Sequence, residues 1–170
     1  MTVSKTQAVV IGASAGAFDA LSAILPSLPV TFGLPVMVVV HLPPDKRSLM
    51  AGLFRHKCIL AVEEAEDKQP LCSGTIYFAP PDYHMLVERD HTLSLSKDAP
   101  VLYSRPSIDV LFESAADIFG PKLLGIVLTG GNEDGAKGLQ SITAAGGKTL
   151  IQDPKSAFVP TMPELSLIHI

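Results

Sequence analysis

The stretch Val9-Val10-Ile11-Gly12-Ala13-Ser14-Ala15-Gly16-Ala17 joins an apolar run to a turn of small residues that holds a single serine. β-Branched residues before the turn and helical apolar spacing after it predict a buried strand over Gln7–Ile11 and a helix over Ala17–Leu25. Glycines flank Ser14 in a G-x-S-x-G spacing, which lets strand and helix pack closely and exposes the serine hydroxyl. Such a serine suits a nucleophile, a phosphate-binding turn or a simple helix cap, so the motif alone does not decide among them.

The rest of the chain alternates between apolar runs and amphipathic segments. The predicted strands are Leu34–Val40, Leu123–Leu128 and Lys148–Gln152, and the predicted helices are Ser48–His56, Pro106 or Ser107 to Ile118, and Ala136–Ala145. Fully apolar strands that alternate with helices are typical of a parallel sheet covered by helices on both faces. Four short segments between them predict an antiparallel hairpin region added to the sheet: Ala61-Val62, Gly74–Phe78, Met85–Val87 and Thr92–Leu95.

Composition narrows the class of protein. The chain has 170 residues, 47% of them hydrophobic and 18% charged, which predicts one globular domain over residues 1–170. A net charge of −4 without a Lys/Arg cluster argues against nucleic-acid binding. Cys58 and Cys72 lack the C-x-x-C spacing of zinc or redox sites, and the longest apolar run is too short to span a bilayer. We therefore expect a cytoplasmic monomer without metal, cofactor or membrane insertion.

Three residues with catalytic chemistry, Ser14, His41 and Asp134, each follow a predicted strand. The carboxyl ends of parallel strands share one edge of a sheet, so we expect these side chains to lie close together. Serine, histidine and carboxylate together perform acyl transfer, and the turn at Ala15 would leave backbone N–H groups free for an oxyanion. Taken singly, His41 could only cap its strand, and Asp134 could only be the N-cap of the helix that follows it.

Two further residues are candidates for the substrate cleft. His84 follows the polar segment Pro80-Pro81-Asp82-Tyr83 and either lines the cleft or belongs to a surface turn. Arg105 precedes a predicted helix and either binds a substrate carboxylate or pairs with a neighbouring aspartate.

Several segments together resemble one known family. They occur in the family's order from about residue 7 to residue 163, and they are Val10–Gly16, His41-Leu42-Pro43-Pro44, Tyr77–His84, Ser104–Phe112, Leu128–Gly135 and Gln152-Asp153-Pro154. This combination is similar to the CheB-type protein-glutamate methylesterase catalytic domain. The resemblance implies a doubly wound, mostly parallel α/β sheet with an added antiparallel hairpin.

The resemblance also implies a mechanism and a substrate. Ser14 would be the nucleophile, His41 the base and Asp134 the group that orients it, with an oxyanion site near Gly131. The expected reaction is hydrolysis of γ-glutamyl methyl esters on the cytoplasmic helices of chemoreceptors, which releases methanol. Many family members also deamidate receptor glutamines.

The chain departs from the family pattern in three places. Ala15-Gly16-Ala17 stands where the family often has Thr-Gly-Gly, which removes a hydroxyl beside the nucleophile. Nothing before residue 7 could form a receiver domain, so the resemblance is to a stand-alone domain without phosphorylation control, or to one module of a larger protein. The tail 164–170 does not continue the family pattern, so we expect a missing last helix, an uncovered sheet face near Lys148–Gln152 and lower stability than an extended chain would have.

Two other functions remain open from the sequence. A non-catalytic sensor or scaffold module of the same fold could dock to a receptor or kinase partner. A nucleotide-binding domain is disfavoured because the chain lacks both G-x-G-x-x-G and the P-loop lysine motif.

Overall fold

The structure is a computed structural model that describes residues 4–42 and 49–170. Its eight strands among these residues are β1 (Ala8–Ala13), β2 (Val36–Val40), β3 (Ala61–Glu64), β4 (Thr75–Phe78), β5 (His84–Val87), β6 (Leu93–Ser96), β7 (Leu123–Val127) and β8 (Lys148–Ile151). Its five α-helices are α1 (Ala17–Ile24), α2 (Met50–Arg55), α3 (Ile108–Phe119), α4 (Ala136–Ala144) and α5 (Thr161–His169). The predicted helix over Ser48–His56 is thus α2, while Ser48 itself lies outside the described residues.

Six strands form one sheet in the order β3-β4-β2-β1-β7-β8, and every neighbouring pair is parallel. Strand β1 lies between β2 and β7, so the chain reverses its direction of winding across β1. That reversal is the switch point of a doubly wound sheet, where clefts form beyond the carboxyl ends of the strands. The predicted fold class is confirmed.

Helices cover both faces of this sheet. Successive residues of β1 alternate between two cores. Val10 packs with α3, α4 and the strands β5 and β6, whereas Val9 and Ile11 pack with α1 and α2. A strand that is buried on both sides must be apolar throughout, which explains the continuous apolar run in the sequence.

The prediction of an antiparallel region is correct for two of its four segments. Strands β5 and β6 form a separate antiparallel pair, with His84 opposite Ser96 and Val87 opposite Leu93. Strands β3 and β4 were assigned wrongly, because they are parallel members of the main sheet. Strand β3 lies at the sheet edge and buries only Val62 of its four residues, so it lacks the apolar run that marks β1, β2 and β7.

The C-terminal tail is helical. Helix α5 packs against α4, β7 and β8, and its Met162 and Ser166 side chains are buried. The sequence predicts an uncovered apolar face near Lys148–Gln152. Of the apolar side chains in that segment, Leu150 is 56% exposed and Ile151 is half-buried.

Candidate active site

Ser14 lies between His41 and Thr129 at the carboxyl edge of the sheet. Ala13 and Val40 are register partners in β1 and β2, and the His41 N–H donates to Ala13 O at 3.1 Å. On the other side, the Ser14 N–H donates to Thr129 O at 2.9 Å. Neighbouring strands are about 4.8 Å apart, so the serine and the histidine are adjacent at this edge.

The turn after Ser14 is held by hydrogen bonds from its flanks. Gly16 has a φ of +85°, a left-handed conformation that favours glycine, and the Ala17 N–H donates back to Ser14 O at 2.9 Å. The Thr129 hydroxyl donates to Ala15 O at 2.8 Å from the neighbouring strand. Within the part of the chain that the structure describes, neither the half-buried Ser14 hydroxyl nor the Ala15 N–H has an intramolecular hydrogen-bond partner.

His41 and Asp134 are in direct contact. The distance from His41 Nε2 to Asp134 Oδ2 is 2.7 Å, and the Asp134 side chain is fully buried. Asp134 Oδ2 also accepts the Ile108 N–H at 2.7 Å, while Oδ1 accepts the Ser107 hydroxyl and the Asp109 N–H, both at 2.9 Å. Four donors therefore fix both oxygens of the carboxylate.

These contacts determine which nitrogen of His41 carries the proton. Burial raises the pKa of Asp134, but hydrogen bonds from His41, Asp109 and Ile108 outweigh it and bring that pKa below its ordinary value. An ionised carboxylate only accepts hydrogen bonds, so Nε2 of His41 is the donor. In the neutral imidazole, Nδ1 is then left as the nitrogen that can accept a proton.

Asp134 does cap a helix, but not the one that the sequence suggests. Helix α4 begins after Gly135, whose φ is +105°, and has no side-chain cap. Asp134 instead accepts N–H groups from the first turn of α3, a helix 26 residues earlier in the chain. The local capping alternative is therefore wrong, because the loop turns the carboxylate away from α4 and towards α3 and His41.

Asp109 forms the complementary contact. Its Oδ1 accepts the N–H groups of Gly135 at 2.9 Å and Gly138 at 2.7 Å, which are the first-turn donors of α4. Burial, followed by the negative charge of Asp134, raises the pKa of Asp109 to about 6. Asp134 thus caps the helix that carries Asp109, and Asp109 caps the helix that follows the loop of Asp134.

His84 is neither a cleft residue nor part of a surface turn, and both alternatives for it are corrected. It begins β5 with only 1% of its surface exposed. Its Nδ1 accepts the Ser107 N–H at 3.1 Å, and its Nε2 donates to Ala99 O at 3.0 Å. His84 therefore fixes the residue whose hydroxyl binds Asp134.

Arg105 pairs with an aspartate, as the second of its two alternatives predicted. Its Nε and Nη2 contact Asp82 Oδ1 at 3.0 and 2.6 Å, and these bonds hold the pKa of Asp82 below its ordinary value. Arg105 and His41 also line a cleft of about 190 Å³, together with the fully exposed Tyr103. The arginine therefore lies at the site, with most of its donors already in use.

Three residues that fix the site were missed by sequence reasoning: Ser107, Asp109 and Thr129. Ser107 could be recognised only as a helix opener, and Asp109 and Thr129 occur in the segments that resemble the family without any assigned role. Their contacts join elements that are far apart in the chain, which periodicity does not report.

Two classes of feature are absent from the described residues. Within 4–42 and 49–170, no group of three or more His, Cys, Asp or Glu side chains is placed to hold a metal ion. No helix in the same ranges has the length and apolar character needed to cross a bilayer.

Comparison with known proteins identifies relatives along nearly the whole chain. The CheB methylesterase family model matches residues 9–168, which extends beyond the limit of 163 expected from the sequence. A putative protein-glutamate methylesterase/protein-glutamine glutaminase of Leptospira interrogans is 44% identical over 161 residues, which are 95% of this chain and 83% of the relative. A protein-glutamate methylesterase/protein-glutamine glutaminase of Symbiobacterium thermophilum is 37% identical over 157 residues, but this chain spans only 43% of its length.

A solved structure shares the fold. The crystal structure of the Thermotoga maritima CheB methylesterase catalytic domain aligns with a TM-score of 0.92 and 32% sequence identity. The alignment covers 96% of this chain and 88% of that one, so the sheet, the hairpin and the flanking helices correspond throughout.

Proposed function

The chain belongs to the CheB methylesterase family of hydrolases, and we propose that Ser14, His41 and Asp134 form its catalytic triad, within a single catalytic domain over residues 1–170. The observation that supports this most is the 2.7 Å contact between His41 and Asp134, beside a serine on the neighbouring strand. The proposed substrate is a γ-glutamyl methyl ester on the cytoplasmic helices of a chemoreceptor, and receptor glutamine is a second one.

The first half of the reaction forms an ester on the enzyme. Ser14 Oγ attacks the γ-carbonyl carbon while Nδ1 of His41 takes the hydroxyl proton, and Asp134 stabilises the resulting imidazolium. The N–H groups of Ala15 and Gly131 receive the negative charge on the carbonyl oxygen. The intermediate then collapses, the C–O bond to the methoxy group breaks, and His41 returns the proton so that methanol leaves.

The second half releases the product. Water attacks the glutamyl-Ser14 ester, His41 accepts a proton from that water, and the proton passes to Ser14 Oγ as the ester bond breaks. A glutamate side chain and the free serine result. With glutamine as substrate, ammonia takes the place of methanol.

The cleft beside His41 is suited to a protein surface. It is small, about 190 Å³, and Tyr103 and Arg105 are among the residues that line it. Tyr103 lies in a turn in which the Val101 and Ser104 backbones exchange hydrogen bonds of 3.0 and 2.8 Å, which projects the ring into solvent. We propose that this ring packs against the receptor helix that presents the glutamyl side chain.

Ser14→Ala tests the function directly. We expect methanol release from methylated receptor to fall to background, because the hydroxyl is the attacking group, while the melting temperature stays unchanged. Ser22→Ala is a matched control in α1, since the Ser22 hydroxyl also lacks a partner among the described residues. Wild-type turnover by Ser14→Ala would refute the proposal.

The alternative of a non-catalytic docking module makes the opposite prediction. Such a module would bind receptor without releasing methanol, and Ser14→Ala would change neither property. Measuring binding and turnover on the same wild-type preparation therefore separates the two functions.

A further inference from the structure

We propose that Asp109 is a positioning residue that directs the Asp134 carboxylate towards His41. The inference rests on the proposed function for its activity assay, but its argument depends only on how two helices are joined. Asp109 itself touches neither His41 nor the cleft.

The two aspartates are connected in both directions. The Asp109 N–H donates to Asp134 Oδ1 at 2.9 Å, and Asp109 Oδ1 accepts the N–H of Gly135, the residue next to Asp134, also at 2.9 Å. The N-terminal ends of α3 and α4 are thereby joined, and the loop that carries Asp134 is held from both ends. If the Asp109 oxygen were removed, the loop would keep the contacts of Asp134 and the packing of Gly135, but it would lose the hydrogen bond that ties Gly135 to α3.

Close packing makes the junction rigid. Gly138 in the first turn of α4 lies against Phe112 of α3 so tightly that a Cβ on Gly138 would lie 2.5 Å from Phe112 Cβ. Gly135 is similarly enclosed by Val127 and Ile108. Asp109 also lines a cavity of about 370 Å³, so water could take the place of its oxygen in Asp109→Ala. Water would satisfy the N–H groups of Gly135 and Gly138 but would not tie them to α3, and the loop that carries Asp134 would lose that link.

The chemistry of the site is sensitive to such a displacement. Asp134 acts only by hydrogen bonding to His41 Nε2, and a shift of about 1 Å at a catalytic group lowers the rate by about 10²-fold. Neither Asp109 nor Asp134 lines the cleft beside His41, so binding should be little affected. We therefore expect the defect in kcat and not in KM.

The experiment compares three substitutions of Asp109. Asp109→Asn keeps an oxygen that can accept both N–H groups and should retain kcat within about 5-fold of wild type, whereas Asp109→Ala should lose about 10²-fold with KM unchanged. Asp109→Ser keeps an accepting oxygen, but one bond nearer to its own backbone and so farther from the N–H groups of α4, and it should lie between them. It keeps a test available if the alanine variant does not fold. Ile142→Val is the control, since it shortens a buried side chain of α4 away from the junction and should preserve kcat.

A second readout does not need substrate. The downfield N–H resonance of His41, which arises from its hydrogen bond to Asp134, should persist in wild type and Asp109→Asn and disappear in Asp109→Ala. If wild type shows the resonance but no methylesterase activity, the proposed function fails while the positioning role is still tested by the resonance.

Three outcomes would overturn the inference. The first is wild-type kcat and an intact resonance in Asp109→Ala, or in Asp109→Ser if alanine does not fold. The second is a loss of kcat in Ile142→Val as large as that in Asp109→Ala, which would show that the loss in Asp109→Ala comes from general destabilisation. The third is a loss in Asp109→Asn as large as that in Asp109→Ala, because an accepting oxygen would then not be the group that matters.

Discussion

Replacing Asp109 with Asn should make the protein more stable at neutral and alkaline pH. The substitution removes a buried negative charge and keeps an oxygen that can accept the N–H groups of Gly135 and Gly138. Burial and the nearby charge of Asp134 raise the pKa of Asp109 to about 6, from an ordinary value of 3.8. The folded protein therefore binds this proton more tightly than the unfolded chain does.

The sign and size of the effect follow from that difference in pKa. Stability from a group with a raised pKa is fully present below the unfolded value and is lost as the pH rises through the folded value. About two pKa units correspond to about 3 kcal/mol, so Asp109→Asn should raise the free energy of unfolding by up to about 3 kcal/mol at pH 8 and by almost nothing near pH 4. The other charged groups near Asp109 are Asp134, Glu133, Lys137 and His169, and they are the same in both proteins.

Urea denaturation followed by circular dichroism at pH 5, 6, 7 and 8 measures the difference. The gain should grow between pH 5 and pH 7 and level off above it. Asp90→Asn is the control: hydrogen bonds from Thr92 lower the pKa of that exposed carboxyl, so no gain at pH 8 is expected. A difference between Asp109→Asn and wild type that does not vary with pH, or a less stable Asn variant at pH 8, would refute the reasoning.

Three further predictions concern the site and its support. Asp134→Asn should lower kcat by about 10⁴-fold, because an amide N–H₂ facing His41 favours the wrong tautomer; activity within 10-fold of wild type at pH 7 would contradict this. Tyr103→Ala should raise KM for methylated receptor by about 5- to 10-fold with kcat unchanged, as measured by initial rates of methanol release; an unchanged KM would exclude the ring from binding. Gly12→Ala should lower the free energy of unfolding by about 1–3 kcal/mol, because its Cβ would overlap Ile108. Gly52→Ala in α2 meets no neighbouring atom and should raise that free energy by about 0.5–1 kcal/mol. Thermal or urea unfolding measures both, and equal effects of the two substitutions would count against the packing argument.

The arrangement of Ser14, His41 and Asp134 could be anticipated because it depends on features that local sequence records. Apolar runs identify buried parallel strands, and parallel strands present their carboxyl ends on one edge. His41 directly follows its run, whereas Ser14 and Asp134 lie in the loops beyond theirs, so the sequence predicts that the three share one edge and not which of them are in contact. The His41–Asp134 contact of 2.7 Å agrees with that placement.

The supporting residues could not be anticipated in the same way. Asp109 and Asp134 are 25 positions apart. Asp134 binds the backbone at the start of α3 and Asp109 binds the backbone at the start of α4, a relation that neither periodicity nor spacing encodes. His84 was misplaced for a similar reason, since its polar flanking sequence predicts a turn while its side chain is buried beneath Ser107. Strand β3 was misread because an edge strand with one buried residue resembles a hairpin segment.

The buried contact of His84 connects the small β5–β6 sheet to Ser107 and, through it, to Asp134. Its Nδ1 receives a backbone N–H from Ser107, so that nitrogen has no room for a proton of its own. Ser107 precedes the first turn of α3, and its hydroxyl and the next two N–H groups all bind Asp134. Substitutions of the buried residues of this hairpin should therefore alter the hydrogen bond between Asp134 and His41, whereas substitutions on its exposed side should leave that bond unchanged.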